Sequence, residues 1–268
     1  MPSASANGVD INYQVSGDGP ETLVLVNGVG DDLAAWAPQL DDFNGAGLRL
    51  VTYDNRGVGA SSHPPGPYTS REMAEDLHAV VAALTLPAFH LAGVSMGGVI
   101  AQEYAVAHPG ALRSVVFANT YAKADAFTAA AFNTWALVAK AAGMAVMMEQ
   151  MGPWIFSPAM YEREPERVAE LIAGAQQTTQ PADSFAAQMA ALTTHDCSDR
   201  VVNIHVPAMV LAARDDIIIR PQLSRELHQA LPNSAWVEVP GGHAAFWENP
   251  QPWNHAVTDF IAEHSAAR

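Results

Sequence analysis

The spacing of apolar residues changes character along the chain. Residues 9–15, V-D-I-N-Y-Q-V, alternate apolar and polar positions, which predicts a half-exposed edge strand. Four later runs are short, nearly continuous and β-branched: T-L-V-L-V-N from Thr22, R-L-V-T-Y-D from Arg49, F-H-L-A-G-V from Phe89 and L-R-S-V-V-F-A from Leu112. Such runs suit strands covered on both faces of a parallel sheet. Helical periods separate several of them, over 70–84 and 96–108. The first opens on S-R-E-M, where Ser70 is the expected cap and Glu72 and Asp76 complement the N-terminal turns. Strand–helix alternation of this kind predicts a doubly wound α/β sheet.

The alternation stops between Tyr121 and His195. That stretch carries a helical period and no strand signal, and Pro153, Pro158, Pro165 and Pro181 are expected to divide it into short helices. Alternation resumes with A-M-V-L-A-A from Ala208, a helix from Gln222, A-W-V-E-V from Ala235 and a last helix over 253–264. The expected organisation is an α/β core of residues 1–121 and 196–268 with an all-α lid, 122–195, inserted in it. The plainer alternative is an insertion that only enlarges the core. Its Trp135, Met144, Met147, Met148, Trp154 and Phe156 are the candidate substrate-binding residues, since Met-rich and aromatic surface suits a deformable apolar lid.

Composition narrows the function. Lys and Arg number 13 against 28 Asp and Glu, a formal charge of −15, and no basic run interrupts that field. Nucleic acid and anionic membrane surfaces are therefore not expected partners. Cys197 is the only cysteine, which rules out an intrachain disulfide and any cysteine-paired zinc site. It is expected as a packed or surface thiol beside His195 and Asp196. The first residues, M-P-S-A-S-A-N-G, have neither a basic segment nor an apolar one, so a cytoplasmic location is the expectation. The histidines form no H-E-x-x-H spacing, Gly57-Val58-Gly59 lacks the third glycine of a dinucleotide loop, and no Walker sequence occurs. No metal and no cofactor is expected.

The decisive segment is H-L-A-G-V-S-M-G-G, residues 90–98, a G-x-S-x-G sequence between a buried strand and an apolar-periodic helix. A nucleophilic serine on so tight a turn needs small neighbours, and Gly93 and Gly97 flank Ser95. The following helix brings free N–H groups and a positive dipole end to the reacting centre. Ser95 needs a base, and the base needs an orienting acid. Asp216 follows one strand in A-R-D-D-I-I-I-R-P and His243 follows the next in V-P-G-G-H, so both sit where an open parallel sheet forms its crevice. Asp215 competes with Asp216, because adjacent side chains point in different directions and only one can reach His243.

With these residues in order, the chain resembles the α/β-hydrolase-fold enzymes over essentially its whole length. The family's D-x-R-G-x-G-x-S segment stands here as Asp54 to Ser61, its nucleophile elbow as Gly93 to Gly98, its acid segment as A-R-D-D-I-I-I-R-P with Ala213 in place of the usual Gly, and its base segment as G-G-H. P-W-I-F-S-P from Pro153 and T-H-D from Thr194 are similar to the 3-oxoadipate enol-lactonase group. The resemblance implies Ser95, Asp216 and His243 as catalytic triad, and backbone N–H groups of Met96 and Val29 as oxyanion hole. One departure stands out: relatives carry His-Gly after the third strand, and this chain has Asn27-Gly28. Asn27 either holds the oxyanion loop differently or merely closes a turn. Arg56 and Asp54 are expected to lock a loop.

The expected function is a cofactor-free serine hydrolase of esters or lactones acting on a small molecule. Carbon–carbon bond hydrolysis or perhydrolysis with the same triad, and a ligand receptor on the same fold, are the alternatives.

Overall fold

The computed structural model describes residues 2–6 and 8–265. In chain order the elements are β1 (Ser3–Ala6), β2 (Val9–Ser16), β3 (Glu21–Val26), α1 (Ala37–Gly45), β4 (Leu48–Tyr53), α2 (Ser70–Ala83), β5 (Phe89–Val94), α3 (Met96–Ala107) and β6 (Leu112–Ala118). There follow α4 (Ala126–Ala142), α5 (Met144–Ile155), α6 (Pro158–Arg163), α7 (Pro165–Ala175) and α8 (Ala182–Thr194). The chain closes with β7 (Ala208–Ala213), α9 (Pro221–Ala230), β8 (Ser234–Val239), α10 (Ala245–Glu248) and α11 (Pro250–Glu263). The strands form one eight-stranded sheet in the order β1-β2-β4-β3-β5-β6-β7-β8. Only β1–β2 and β2–β4 are antiparallel; every later pair is parallel. The central strands β5 and β7 are buried at every position, which is why their sequences read as unbroken apolar runs. One core cluster packs α2, α3 and most of the insertion against one face, and a second packs α1, α10, α11 and residues of α6 and α7 against the other.

Three expectations need correction. Residues 9–15 are not the edge of the sheet: S-A-S-A in β1 covers β2, pairing Ser3 with Asn12 and Ala6 with Val9. Ser70 does not cap α2. Thr69 does, its hydroxyl accepting from Glu72 N at 3.1 Å while the Glu72 carboxylate accepts from Thr69 N at 2.9 Å. Nor does Pro153 divide the insertion, since α5 continues through it to Ile155. The break falls instead at Gly143 (φ 87°), a backbone conformation that side chains disfavour, while Pro158 and Pro165 start helices. Among the described residues no helix is long and apolar enough to cross a membrane.

Asp54 and Arg56 lock the loop after β4. The Asp54 carboxylate accepts from Asn12 Nδ2 (2.7 Å), Leu33 N (2.7 Å) and Ala60 N (2.8 Å), tying three segments together. Arg56 donates to both oxygens of Asp76 at 2.6 and 2.7 Å, and both side chains are almost fully buried. Asp76 therefore serves this pair rather than the helix dipole. Removing one partner strands the other's charge in the interior. Asp76→Ala is expected to lower unfolding free energy in urea by about 3 kcal/mol; a loss below about 1 kcal/mol would show the pair to be dispensable.

Candidate active site

Three parallel strands deliver the site from their carboxyl ends. Ser95 follows β5 directly and takes φ 56°, ψ −115°, a strained conformation for a residue with a side chain. The turn is held by backbone bonds: Ser95 N donates to Ala118 O at 2.9 Å, and Thr120 Oγ1 donates to Ser95 O at 2.9 Å. A Cβ on Gly93 would overlap Gly97 O, and one on Gly97 would overlap Val26 O, so this elbow closes only around glycine. Met96 opens α3, and its amide, in the first turn, has no acceptor within the helix.

His243 stands after β8, and its Nδ1 lies 2.7 Å from Asp216 Oδ2. With Asp216 accepting, Nδ1 carries the proton and Nε2 is left as the base. The other Asp216 oxygen accepts from Ile218 N and Ile219 N, both at 2.9 Å, so the carboxylate is clamped in place. Asp215 is exposed, and its amide binds Gly241 O at 2.9 Å. Of the two adjacent acids, Asp216 is the one that touches His243.

Two positioning groups had no sequence signal. Asn119 Nδ2 donates to His243 O at 2.7 Å from the end of β6. The buried Glu248 carboxylate accepts from Gly242 N and Ser157 N, both at 3.0 Å, and from the Ser157 hydroxyl. It thereby joins the histidine loop to the insertion.

Asn27 does more than close a turn. Its Nδ2 donates to Tyr53 O at 3.2 Å and Asp31 O at 3.4 Å, and its carbonyl accepts from Asn55 Nδ2 at 3.3 Å. The next loop amide but two, Gly30 N, donates to Gln188 Oε1 at 3.1 Å, which anchors the loop to α8. Ser95, His243 and Val29 open onto one cavity.

The sequence model of the alpha/beta hydrolase fold matches residues 21–250. The chain belongs to the α/β-hydrolase-fold family. It is 29% identical to "Putative carbamate hydrolase RutD" of Azorhizobium caulinodans, over 98% of this chain and 99% of the relative. It is also 29% identical to 3-oxoadipate enol-lactonase 2 of Acinetobacter baylyi, over 94% of this chain and 93% of that one. The crystal structure of the enol-lactonase from Burkholderia xenovorans superposes with a TM-score of 0.90 at 28% identity, covering 97% of this chain and 100% of that chain.

In this α/β-hydrolase-fold enzyme the insertion α4–α8 roofs the cavity, but only some of its expected residues face inward. Trp135, Met148 and Phe156 line the cavity. Met144, Met147 and Trp154 do not. Met147 is fully buried in the core, Met144 packs against the same core, and Trp154 stands edge-on behind Trp135 at 5.6 Å. Adjacent methionines on α5 face different ways, and only the packing of α5 on its neighbours decides which one meets the cavity. The lining also includes Asp31, Phe132, Phe246 and Trp247, which composition did not single out.

Among the described residues, one cluster has metal-ligand chemistry: Glu103, His195 and Cys197, whose ligand atoms lie within 4.8 Å of one another. None of them lines the cavity shared by Ser95 and His243. Burial alone would raise the Glu103 carboxyl, but hydrogen bonds from Arg200 and His195 hold it down at about 2. Arg200 occupies both its oxygens, at 2.5 and 2.6 Å, and places a cation where a metal would sit. Burial pushes the Cys197 thiol up to about 12, so it stays protonated. The cluster reads as a packed ion pair with a buried thiol.

Proposed function

We propose that this enzyme hydrolyses a carboxylic ester or lactone through an acyl-enzyme on Ser95. The observation that carries the reading is the His243–Asp216 pair, 2.7 Å apart, on the same cavity as a serine held at a strained elbow. Ser95 Oγ attacks the carbonyl carbon and its proton passes to His243 Nε2. Asp216 keeps the imidazole in the required tautomer and stabilises its charged form. The amides of Met96 and Val29 receive the developing oxyanion, each such donor being worth about 3 kcal/mol. His243 then gives the proton to the departing alkoxide. In the second half a water loses a proton to His243, attacks the acyl carbon and releases the acid with Ser95 restored.

Every step uses side chains and backbone already present, so no cofactor enters the proposal. Labelling with a fluorophosphonate, followed by a panel of esters and lactones, tests it. Sustained turnover supports an enzyme, whereas a single stoichiometric burst would favour a receptor on this fold. Turnover confined to diketones or to peroxide-dependent reactions would favour the carbon–carbon hydrolase or perhydrolase reading.

Charge distribution supports an acyl group without a carboxylate. Among the described residues no Lys or Arg lines the cavity. Lys123 and Lys140 pair with Asp196 and Asp183 at 2.7 and 2.9 Å, Arg167 binds Glu164 and Trp247 O, and Arg163 is exposed. An anionic acyl group would be buried unpaired, which is costly. Each buried methylene contributes about 0.8 kcal/mol, so lengthening acetyl to butyryl is expected to raise kcat/KM about tenfold. A carboxylate-bearing lactone that outruns every neutral ester by orders of magnitude would overturn this choice. It would favour the enol-lactonase reading, with Arg163 and Arg167 the first residues to replace.

A further inference from the structure

The cavity shared by Ser95 and His243 contains one acidic side chain that the reaction above does not use. Asp31 lies in the loop after β3 and lines the cavity. A methyl group placed on Gly28 would stand 2.9 Å from Asp31 Oδ2 and 3.8 Å from Ser95 Cβ, so carboxyl and serine flank the same point. Asp31 is half-buried, and among the described residues no side chain or amide donates to its carboxyl, which faces the open cavity. The charged or titratable groups acting on it are Asp32, in the same loop, and His243, across the cavity. Burial raises its pKa to about 7, Asp32 adds to the rise and His243 opposes it. The remaining walls include the rings of Phe132, Trp135, Phe246 and Trp247, and among the described residues no Lys or Arg.

An unpaired carboxyl among aromatic faces, with no resident cation to compete, has the chemistry that recognises an ammonium ion. The carboxylate supplies charge, and the ring faces supply their negative quadrupoles. We propose that Asp31 is a specificity-determining residue that selects substrates carrying an ammonium group near the scissile carbonyl. This rests on the hydrolase reading given above and adds the chemical class of its substrate. A bound cation favours the ionised carboxyl, so binding releases a proton wherever Asp31 is protonated in the free enzyme. The preference is therefore full above about pH 7 and fades as Asp31 takes up its proton below it. Protonation of His243 slows every substrate alike and cancels when two substrates are compared as a ratio.

The test uses an isosteric pair, acetylcholine and its uncharged carbon analogue 3,3-dimethylbutyl acetate. The wild-type ratio of kcat/KM is expected to favour acetylcholine by about tenfold or more near pH 8. It should shrink toward one near pH 6, and lie near one at both pH values in Asp31→Asn. A second measurement is independent of turnover: calorimetric binding of choline and of 3,3-dimethylbutanol to the Ser95→Ala protein, with and without Asp31→Asn. Tighter choline binding that Asp31→Asn abolishes supports the assignment even if neither ester is cleaved, in which case the hydrolase reading alone falls. Equal binding of the two alcohols, or a preference that Asp31→Asn leaves intact, overturns the role of Asp31 whatever the enzyme hydrolyses.

Discussion

Ser95→Ala is expected to abolish ester turnover, with kcat falling by about 10⁶-fold, the loss that follows when a catalytic triad fails as a unit. The fold should survive the change. The elbow is held through the backbone of residue 95, which donates to Ala118 O and accepts from Thr120 Oγ1, and alanine keeps both bonds. Its β-carbon already exists in serine, so the strain at φ 56° is not increased. Circular dichroism and thermal unfolding should therefore match the wild type while hydrolysis of p-nitrophenyl butyrate disappears. Mass spectrometry of the wild-type enzyme after fluorophosphonate treatment should place one adduct on Ser95. An adduct elsewhere, or activity retained by the alanine variant, removes the central claim.

The second large effect separates two neighbouring acids. Asp216→Asn is expected to lower kcat by roughly 10⁴-fold, because an amide facing His243 Nδ1 can donate a proton of its own and so favours the wrong imidazole tautomer. Asp215→Asn should leave kcat within about threefold, as expected of a surface substitution away from any special contact. The basis is the 2.7 Å contact from His243 to Asp216 and the exposure of Asp215. Both variants need a folding check, since Asp216 also accepts two backbone N–H bonds. Equal losses, or the reverse order, would mean that Asp216 is not the acid that orients His243.

What could be read from the sequence follows the range of the forces involved. The parallel strands were legible because burial on both faces writes itself into consecutive residues, as in F-H-L-A-G-V of β5. β1 was not, because S-A-S-A pairs through its backbone alone and carries no large apolar side chain to mark a face. Ser95, Asp216 and His243 stand out because each belongs to a local turn whose chemistry demands particular neighbours. Asn119 and Glu248 belong to no such turn: each takes a partner from a chain segment distant in sequence, 124 positions away for Asn119 and His243 and 91 for Glu248 and Ser157. Three of the six lid residues, Met144, Met147 and Trp154, do not reach the cavity, for a related reason. Met147 and Met148 are indistinguishable by composition, and only the helices packed around α5 send one to the core and the other to the cavity.

The Glu248 bridge bears on how enzymes of this kind can be recombined. An inserted roof invites treatment as a cassette, to be exchanged between relatives in order to change substrate. Here the cassette carries Ser157, which shares a carboxylate with the histidine loop, and Gln188, which holds the amide of Gly30 beside the oxyanion loop. A transplanted roof lacking either residue would arrive with new walls and a loosened catalytic floor. A chimera of this enzyme therefore has to be cut so that residues 157 and 188 travel with the recipient's own loops, and only the helix faces between them are open to exchange.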